Sequence, residues 1–260
     1  MSSTRDRVEG DASHVHPAAA RGFDATAEAY ERGRPEYPPD AVAFVCDRLA
    51  IAPGRTVVDL AAGTGKLTRA LAPTGASVIA VEPVAGMREA LAETLPGIPV
   101  LDGTAETIPL DAGSVDAMVV AQAFHWFDGT RAIREIARVL RPGGGLAIVF
   151  NVRDEDDPMQ AALSEIWEPY RGDTPTHRTV SWRDAFEDQD LFAPLQRRTF
   201  RYEQRVDREQ LVDRVVSVSF IAVLPQRELA RVADRTRALL PDGVEATLPY
   251  RTDVFVTDRS

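Results

Sequence analysis

Short apolar runs alternate with amphipathic segments along the first 150 residues. Five runs of apolar and β-branched residues predict strands, at 56–60, 77–81, 99–102, 114–121 and 146–152. Apolar positions at helical spacing predict helices between them, at 39–49, 66–71, 84–95 and 130–140. Strands that are apolar on both faces indicate a parallel sheet covered by helices on both sides. The pattern predicts a doubly wound α/β fold that binds its ligand at the carboxyl ends of the strands.

The pattern changes after residue 152. Alternating runs at 196–206 and 247–258 predict two more strands, and the segment between them is largely helical, with a break near 220–225. Further helices are expected at 158–170 and 182–189. We therefore predict a mostly parallel seven-stranded sheet with an antiparallel edge strand and a helical cap. The expected divisions are a disordered tail (1–22), a ligand-binding core (23–152) and a sheet-completing part (153–260) with an insertion at about 207–242.

Composition excludes several function classes. The 260 residues carry a net charge of −10, which disfavours nucleic acid and anionic lipid as partners. No apolar run reaches the length of a membrane span and the N-terminus lacks a secretory signal, so we expect a cytoplasmic protein. Cys46 is the only cysteine, and the histidines show no metal-ligand spacing, so no metal is expected. Lys66 is the only lysine, and we attribute the arginine excess to genome composition, apart from Arg34 and Arg251.

A glycine-containing loop follows the first predicted strand, in the sequence VVDLAAGTGKLT at 57–68. A phosphate-binding P-loop would need glycine at Leu60 and a hydroxyl residue at Leu67, and a leucine cannot coordinate magnesium. A dinucleotide fingerprint would need a third glycine where Lys66 stands. The remaining alternative is a cofactor without phosphates, because a carboxylate at a strand end can bind an ammonium group.

The segment from Asp59 to Gly65 resembles motif I of the class I S-adenosylmethionine-dependent methyltransferases, with Ala61 in place of the usual first glycine. Glu82 ends the second strand, where the family binds both ribose hydroxyls. The segment DGTAE at 102–106 resembles the family's adenine-binding segment, and RVLRPGG at 138–144 resembles its turn before strand five. The resemblance covers residues 23 to 152 and implies a Rossmann-like, type 11 methyltransferase domain with S-adenosylmethionine as cofactor.

The resemblance assigns the cofactor-binding residues by position. They are Tyr30, Arg34, Asp59, Ala61, Gly63, Gly65, Glu82, Pro83, Met87, Thr104, Ala105, Glu106, Ala121, Gln122 and Trp126. Arg34 is expected to pair with the methionine carboxylate, and Trp126 and Phe127 to wall the adenine. The adenine amino group is expected to meet the Thr104 hydroxyl, the Ala105 amide or Glu106, and these three alternatives stay open.

The end of strand four carries FHWFD at 124–128, which resembles the trans-aconitate methyltransferase-like subgroup, as does YERGRPEYP at 30–38. His125 is the candidate catalytic residue, as a general base or as a donor to an anionic substrate. Tyr37, His125, Phe220 and Arg251 are the candidate substrate-binding residues.

The predicted function is methyl transfer to a small molecule, either a small carboxylic acid or the hydroxyl or carbon of a secondary metabolite. The expected protein is a monomer or homodimer. Two alternatives stay open, a NAD-dependent oxidoreductase and a non-catalytic S-adenosylmethionine-binding protein.

Overall fold

A computed structural model describes residues 27–260, and within them seven strands form one sheet in the order β3-β2-β1-β4-β5-β7-β6. The strands are β1 (Thr56–Leu60), β2 (Ser77–Val81), β3 (Val100–Leu101), β4 (Val115–Ala121), β5 (Leu140–Arg153), β6 (Gln196–Val206) and β7 (Ala246–Asp258). Strands β1 to β5 pair in parallel, and β7 lies antiparallel between β5 and β6. The predicted fold is confirmed, with the antiparallel strand one position in from the edge.

Helices cover both faces of this sheet. They are α1 (Ala27–Gly33), α2 (Pro39–Arg48), α3 (Lys66–Leu71), α4 (Ala85–Thr94), α5 (Gly129–Val139), α6 (Pro158–Trp167), α7 (Arg208–Val216), α8 (Ser219–Ala222) and α9 (Gln226–Arg237). No helix of the described chain is long and apolar enough to cross a lipid bilayer.

Successive residues of the central strands point to opposite faces, and both faces are packed. On one face, Val57 and Val149 pack against α2 and α3. On the other, Val58 and Met118 pack against Ile136 and its neighbours on α5. This two-sided burial is why the strands read as continuous apolar runs in the sequence.

A third apolar cluster joins β7 to the helices of the C-terminal half. Leu248 and Tyr250 of β7 pack with Trp167, Leu211 and Val232, which lie on α6, α7 and α9. Helices α7 to α9 stand between β6 and β7 in the chain, so the helical segment predicted there lies over this end of the sheet.

Three details differ from the sequence prediction. The glycines at 143–145 belong to the start of β5 and do not form a separate turn before it. Val115 of β4 pairs with Leu140 and Ala117 pairs with Gly145, so the pairing with β4 spans these glycines with a shift in register. The helix expected at 182–189 is one 3-10 turn at Trp182–Phe186, which ends before Asp188 adopts a positive φ of 48°. The helix expected at 158–170 ends at Trp167 and continues only as a 3-10 turn. The predicted tail at 1–22 lies outside the described residues.

The strand order places one crevice in the sheet. The chain runs outward from β1 to β2 and β3, then returns to the other side of β1 to form β4. Loops leaving β1 and β4 therefore diverge, and ligands of doubly wound sheets bind at such a switch point. This point lies directly above the glycine loop.

Candidate functional site

The loop after β1 is held in an unusual backbone conformation. Gly63 and Gly65 have φ values of 59° and 88°, which glycine adopts without steric cost. Ala61 also has a positive φ, 56°, which is uncommon for a residue with a side chain. Gln122, at the end of β4, is a second such residue, with φ of 60°. Strained residues of this kind cluster at ligand sites, and these two line the same crevice.

Glu82 fastens the glycine loop to the end of β2. Its Oε2 accepts a hydrogen bond from the Gly63 amide and its Oε1 accepts one from the Val84 amide, both at 2.9 Å. The side chain is buried, and burial raises the pKa of Glu82 to about 7. The two amide bonds therefore fix the position and orientation of the Glu82 carboxylate, and its raised pKa leaves it partly protonated at neutral pH.

Asp59 lies at the floor of the same crevice. Its Oδ2 accepts a hydrogen bond from the Thr68 hydroxyl at 2.6 Å, whereas its Oδ1 is buried and has no hydrogen-bond partner in the described chain. Burial, with a smaller contribution from nearby Glu82, raises the pKa of Asp59 to about 7. An unpartnered buried carboxylate oxygen is costly to a protein by itself, and it fits a ligand that donates to it.

Helix α1 and the segment after it lie over the glycine loop. Glu31 accepts hydrogen bonds from the Thr64 hydroxyl at 2.6 Å and from Arg69 at 2.7 Å. Lys66 donates to the Glu31 carbonyl at 2.7 Å and to Glu36 at 2.8 Å. These bonds attach residues 27–38, which we call the strap, to helix α3 and the loop before it. The single lysine therefore holds the strap in place and cradles no phosphate.

Arg34 and Tyr30 belong to this strap. The Arg34 guanidinium lies 5.0 Å from the Tyr30 ring centroid and donates to the Ser217 carbonyl at 3.0 Å. Burial, followed by the nearby Arg214 charge, lowers the pKa of Arg34 to about 10, so the group stays charged at neutral pH. Within residues 27–260 no carboxylate forms an ion pair with it.

Three neighbouring cavities lie along the carboxyl ends of the parallel strands: an inner cleft, a glycine-loop pocket and an outer chamber. The inner cleft has twelve of the predicted cofactor residues in its wall: Tyr30, Ala61, Gly63, Glu82, Pro83, Met87, Thr104, Ala105, Glu106, Ala121, Gln122 and Trp126. The glycine-loop pocket beside it is lined by Asp59 and Arg34 and by the predicted substrate residue Tyr37. Thr104 places a buried hydroxyl without a hydrogen-bond partner in the cleft wall, whereas Glu106 accepts from the Asp128 amide at 2.9 Å.

Gly65 lines neither cavity. A Cβ built on it would lie 2.9 Å from the Leu91 side chain, so the glycine allows α4 to pack close to the loop. Its positive φ gives the loop its shape. In the unliganded protein Gly65 therefore shapes the loop from the side of α4, and its expected contact with the cofactor stays a prediction.

A larger cavity of about 650 Å³, the outer chamber, opens beside the inner cleft. Tyr30, Gln122 and Trp126 line both. His125 and Phe220, two of the predicted substrate residues, lie in the wall of the outer chamber. Arg251 does not line the outer chamber. It is exposed on β7 and lines a separate side cavity, and Arg178 lies between the two cavities because it lines both.

His125 is an uncharged group at neutral pH. Burial lowers the pKa of His125 to about 3, with further lowering from His177 and Arg34. Its Nδ1 is buried and has no hydrogen-bond partner in the described residues. The unliganded site therefore favours a neutral His125, because a cation here would be desolvated beside Arg34, and the expected role of His125 toward an anionic substrate stays a prediction.

Several cavity residues were not predicted. Val84, Gly103 and Ala123 line the inner cleft beside the expected Phe127, and Asn151, Arg153, Trp167 and Arg214 line the outer chamber or the glycine-loop pocket. Asn151 has a sequence signal, since it is the first polar residue after the apolar run of β5. Arg214 has none, since it stands among 29 arginines on a helix 150 residues beyond the glycine loop. The described chain holds no group of three potential metal ligands.

Comparison with known proteins agrees with this geometry. The methyltransferase domain family matches residues 58–148. The chain is 44% identical over 218 residues to the uncharacterized methyltransferase Rv3342 of Mycobacterium tuberculosis, covering 84% of this chain and 85% of the relative. It is 35% identical over 237 residues to a methyltransferase-like protein of Schizosaccharomyces pombe, covering 88% of this chain and 92% of that one.

Solved structures share the fold. A proposed type II methyltransferase from Anaeromyxobacter dehalogenans superposes with a TM-score of 0.60 at 24% identity, covering 86% of this chain and 97% of that one. The YcgJ protein of Bacillus subtilis gives a TM-score of 0.54 at 18% identity, with 84% and 97% covered. S-adenosylmethionine is the cofactor that the family and the motif I loop require. On its sequence and its fold, the chain belongs to the methyltransferase family.

Proposed function

We propose that this protein transfers a methyl group from S-adenosylmethionine to a small-molecule acceptor. The observation that carries the proposal is the junction of the inner cleft with the outer chamber through Tyr30, Gln122 and Trp126. The cleft offers the groups expected for the cofactor, and the chamber is of a size that suits a small organic ligand. Methyl transfer needs such adjacency, because proximity and orientation lower the barrier.

The floor of the cleft fits the ribose and methionine parts of the cofactor. Glu82 is proposed to accept hydrogen bonds from both ribose hydroxyls, in addition to the two amide bonds that already orient it. The unpartnered Oδ1 of Asp59 is proposed to receive the ligand's ammonium, which would be a charge-assisted bond. Nothing lies within 4 Å of a Cβ built on Gly63, so that glycine leaves open space above the loop.

The other end of the cleft suits the adenine. Pro83, Met87 and Trp126 offer apolar and aromatic surface there, and we propose that they sandwich the ring. Of the three alternatives for the adenine amino group, Thr104 has the unpartnered hydroxyl, whereas Glu106 already accepts from Asp128. We therefore favour Thr104, with the Ala105 amide beside it.

The strap is proposed to hold the methionine carboxylate. Arg34 is charged and has no ion-pair partner within the described chain, and it lines the glycine-loop pocket between Tyr30 and Tyr37. A carboxylate that enters this pocket would supply the missing counter-charge. The ionic network of Glu31, Glu36 and Lys66 would hold the strap over it.

When bound, the cofactor supplies an electrophilic methyl group, which an acceptor's lone pair takes in line as the carbon–sulfur bond breaks and S-adenosylhomocysteine remains. The chain's part is to orient the two molecules and keep water out. A His125 whose pKa is near 3 is a weak base. This favours an acceptor that needs no proton removed, such as a carboxylate, over an unactivated hydroxyl, and it agrees with the resemblance to the trans-aconitate-like subgroup.

The substrate side is proposed to come from the second half of the chain. We infer that residues 23–152 hold the cofactor and that 153–260, with the insertion at about 207–242, complete the sheet and wall the chamber. Phe220 is proposed to contact the acceptor, whereas Arg251 stands outside the chamber. We further propose that the protein works in the cytoplasm as a monomer or homodimer, in keeping with its acidic composition.

Calorimetric titration with S-adenosylhomocysteine tests the cofactor site. We expect micromolar binding by the wild type and much weaker binding by Asp59→Asn, which keeps the shape of the side chain and removes its charge. Asp47→Asn, at the exposed end of α2, is the matched control and should bind as the wild type does. Wild-type protein that binds no S-adenosylhomocysteine would contradict the proposal.

Turnover then separates the remaining alternatives. Protein incubated with methyl-labelled S-adenosylmethionine and a panel of carboxylic acids, alcohols and activated carbons should release a labelled product. Binding without any product would favour a non-catalytic binding protein. Binding of NADH in place of S-adenosylhomocysteine would favour an oxidoreductase.

A further inference from the structure

The outer chamber has a charge opposite to that of the whole protein. Its lining includes five arginines and two glutamates, whereas the chain carries a net charge of −10. The two histidines in its wall add no charge, because burial lowers the pKa of His125 to about 3 and that of His177 to about 4. The excess of positive charge in this one cavity is therefore three.

The arginines at the rim are balanced by neighbours. Arg178 pairs with Glu155 at 2.7 Å, and Arg171 pairs with Glu168. Each of these four side chains is part of a local ion pair and needs no ligand. The unbalanced charge belongs to the other three arginines, Arg34, Arg153 and Arg214.

Arg214 is the most deeply buried of these cations. It is 6% exposed, its Nε donates to the Tyr250 hydroxyl at 3.2 Å, and its Nη1 is buried with no hydrogen-bond partner in the described chain. Its guanidinium carbon lies 5.4 Å from the centroid of the Trp167 ring. A neutral hydroxyl and an aromatic face orient this side chain, but neither neutralises it.

Arg153 is on the adjoining wall, at the end of β5. Its guanidinium carbon lies 4.3 Å from the centroid of the same Trp167 ring. Glu155, the acidic group nearest to it in the described residues, is 3.8 Å away and is already bound to Arg178. Burial and the Arg214 charge lower the pKa of Arg153 to about 9, so Arg153 stays charged at neutral pH.

Two desolvated cations beside one indole ring are unfavourable in an empty cavity. Burying an ion costs several kcal/mol unless an opposite charge with good geometry compensates it. We propose that Arg153 and Arg214 form a binding site for an oxyanion of the methyl acceptor, a carboxylate or a phosphate. The proposal rests on the proposed function, and it specifies the acceptor as an anion held by these two guanidinium groups.

The geometry favours an oxyanion over a neutral polar group. A guanidinium presents a planar set of donors that matches two oxygens of a carboxylate or phosphate. The Arg214 Nη1 donor has no hydrogen-bond partner in the described chain, and the guanidinium carbons of Arg153 and Arg214 lie 4.3 Å and 5.4 Å from the Trp167 ring centroid, which brings the two cations to one ring. Arg34 and Arg214 both lie on the border between the chamber and the glycine-loop pocket, whereas Arg153 lines the chamber alone. Arg34 is proposed to hold the cofactor carboxylate, which leaves Arg153 and Arg214 for the anion of the acceptor.

Calorimetry on protein saturated with S-adenosylhomocysteine tests the site at constant ionic strength in sodium chloride. The probes are tricarballylate, its uncharged triamide and inorganic phosphate. We expect at least one of the two anions to bind, and at least tenfold more tightly than the triamide. Tighter binding of tricarballylate identifies a carboxylate site, and tighter binding of phosphate identifies a phosphate site.

Variants then locate the binding. Arg153→Gln and Arg214→Gln should each weaken the binding of the preferred anion at least tenfold. Arg153→Gln, which changes the chamber and not the glycine-loop pocket, should leave the binding of S-adenosylhomocysteine within threefold of wild type. Arg205→Gln, which removes the same charge from the exposed face of β6, should change neither. Arg153→Gln carries the test if Arg214→Gln does not fold, because the Arg153 side chain has only a long ion pair of 3.8 Å, with Glu155, within the described chain.

A stability measurement separates a binding role from a structural one. If Arg153 serves an absent anion, Arg153→Gln should melt at or above the wild-type temperature when no anion is present. If it supports the fold, the variant should melt several degrees lower. Anion binding that matches the triamide in the wild type, or that survives both substitutions, would overturn the proposal while leaving the cofactor site, measured by S-adenosylhomocysteine, unaffected.

Discussion

Glu82→Gln is the substitution that isolates the charge of the cofactor site with the smallest change in shape. Each carboxylate oxygen of Glu82 accepts one amide hydrogen bond at 2.9 Å, from Gly63 on one side and Val84 on the other. A glutamine can keep only one of these bonds, because its NH₂ group meets the other amide as a second donor. The substitution therefore removes the charge that is proposed to receive the ribose and loosens one attachment of the glycine loop.

The expected loss follows from the bonds involved. A hydrogen bond to a charged group contributes roughly 1.5–3 kcal/mol. Glu82 is proposed to make two such bonds to the ribose hydroxyls, and a glutamine can replace them only in part, with one neutral bond. The binding free energy should therefore fall by about 3 kcal/mol, which raises the dissociation constant roughly 100-fold. The same substitution removes a carboxylate whose pKa burial raises to about 7, so the unliganded fold should lose little stability.

Titration calorimetry with S-adenosylhomocysteine at pH 8.5 measures this effect, because wild-type Glu82 is almost fully ionised there. Glu89→Gln is the matched control, since Glu89 lies exposed on α4 and should bind as the wild type does. Circular dichroism and a melting curve verify that both variants are folded. Binding by Glu82→Gln within threefold of wild type would refute the ribose role.

Three further predictions test the pH dependence and the packing. The affinity for S-adenosylhomocysteine should rise about 100-fold from pH 6 to pH 8, because Glu82 and Asp59 each have a raised pKa of about 7, both must ionise to bind, and each contributes about a tenfold change; a flat calorimetric profile would contradict this. Gly33→Ala should lower the melting temperature by several degrees, because its Cβ would lie 2.2 Å from the backbone nitrogen of Arg214 on α7; an unchanged melting curve would disprove this contact. Asp116→Asn should cost about 1–3 kcal/mol in urea unfolding, because the carboxylate bonds two arginines and a backbone amide, yet S-adenosylhomocysteine should bind as before at the opposite end of the strands.

The sheet was predictable because its strands are apolar on both faces. Val57 and Val58 belong to different clusters on opposite sides of the sheet, and both had to be apolar whichever helix covered them. The start of β5 was not predictable, because the glycines after Arg141 favour a turn locally and only the pairing with β4 continues the strand. Local preference and tertiary pairing conflicted there, and pairing prevailed.

The cofactor side of the site was predictable for the same reason. Residues that end parallel strands, such as Asp59, Glu82 and Gln122, meet at one edge whatever the details of the loops. The orientation of Gly65 was not, because it depends on how closely α4 packs, through Leu91. Arg153 and Arg214 were also missed, since a long-range fold brings them together and no local pattern distinguishes them among 29 arginines.

The two halves of the crevice carry opposite charges, and this division explains how one cavity system can order two ligands. Asp59 and Glu82 at the glycine loop raise the local negative charge once ionised, which suits the sulfonium and ammonium of the cofactor. Arg153 in the outer chamber and Arg214 on its border with the glycine-loop pocket disfavour the sulfonium and ammonium there and attract an anion. In the unliganded protein these carboxylates and guanidinium groups are desolvated and lack enough opposite charge nearby. Burial therefore raises the pKa values of Asp59 and Glu82 and lowers the pKa of Arg153. Each ligand supplies the charge that its own half lacks, so wrongly placed molecules are disfavoured by repulsion as well as by shape.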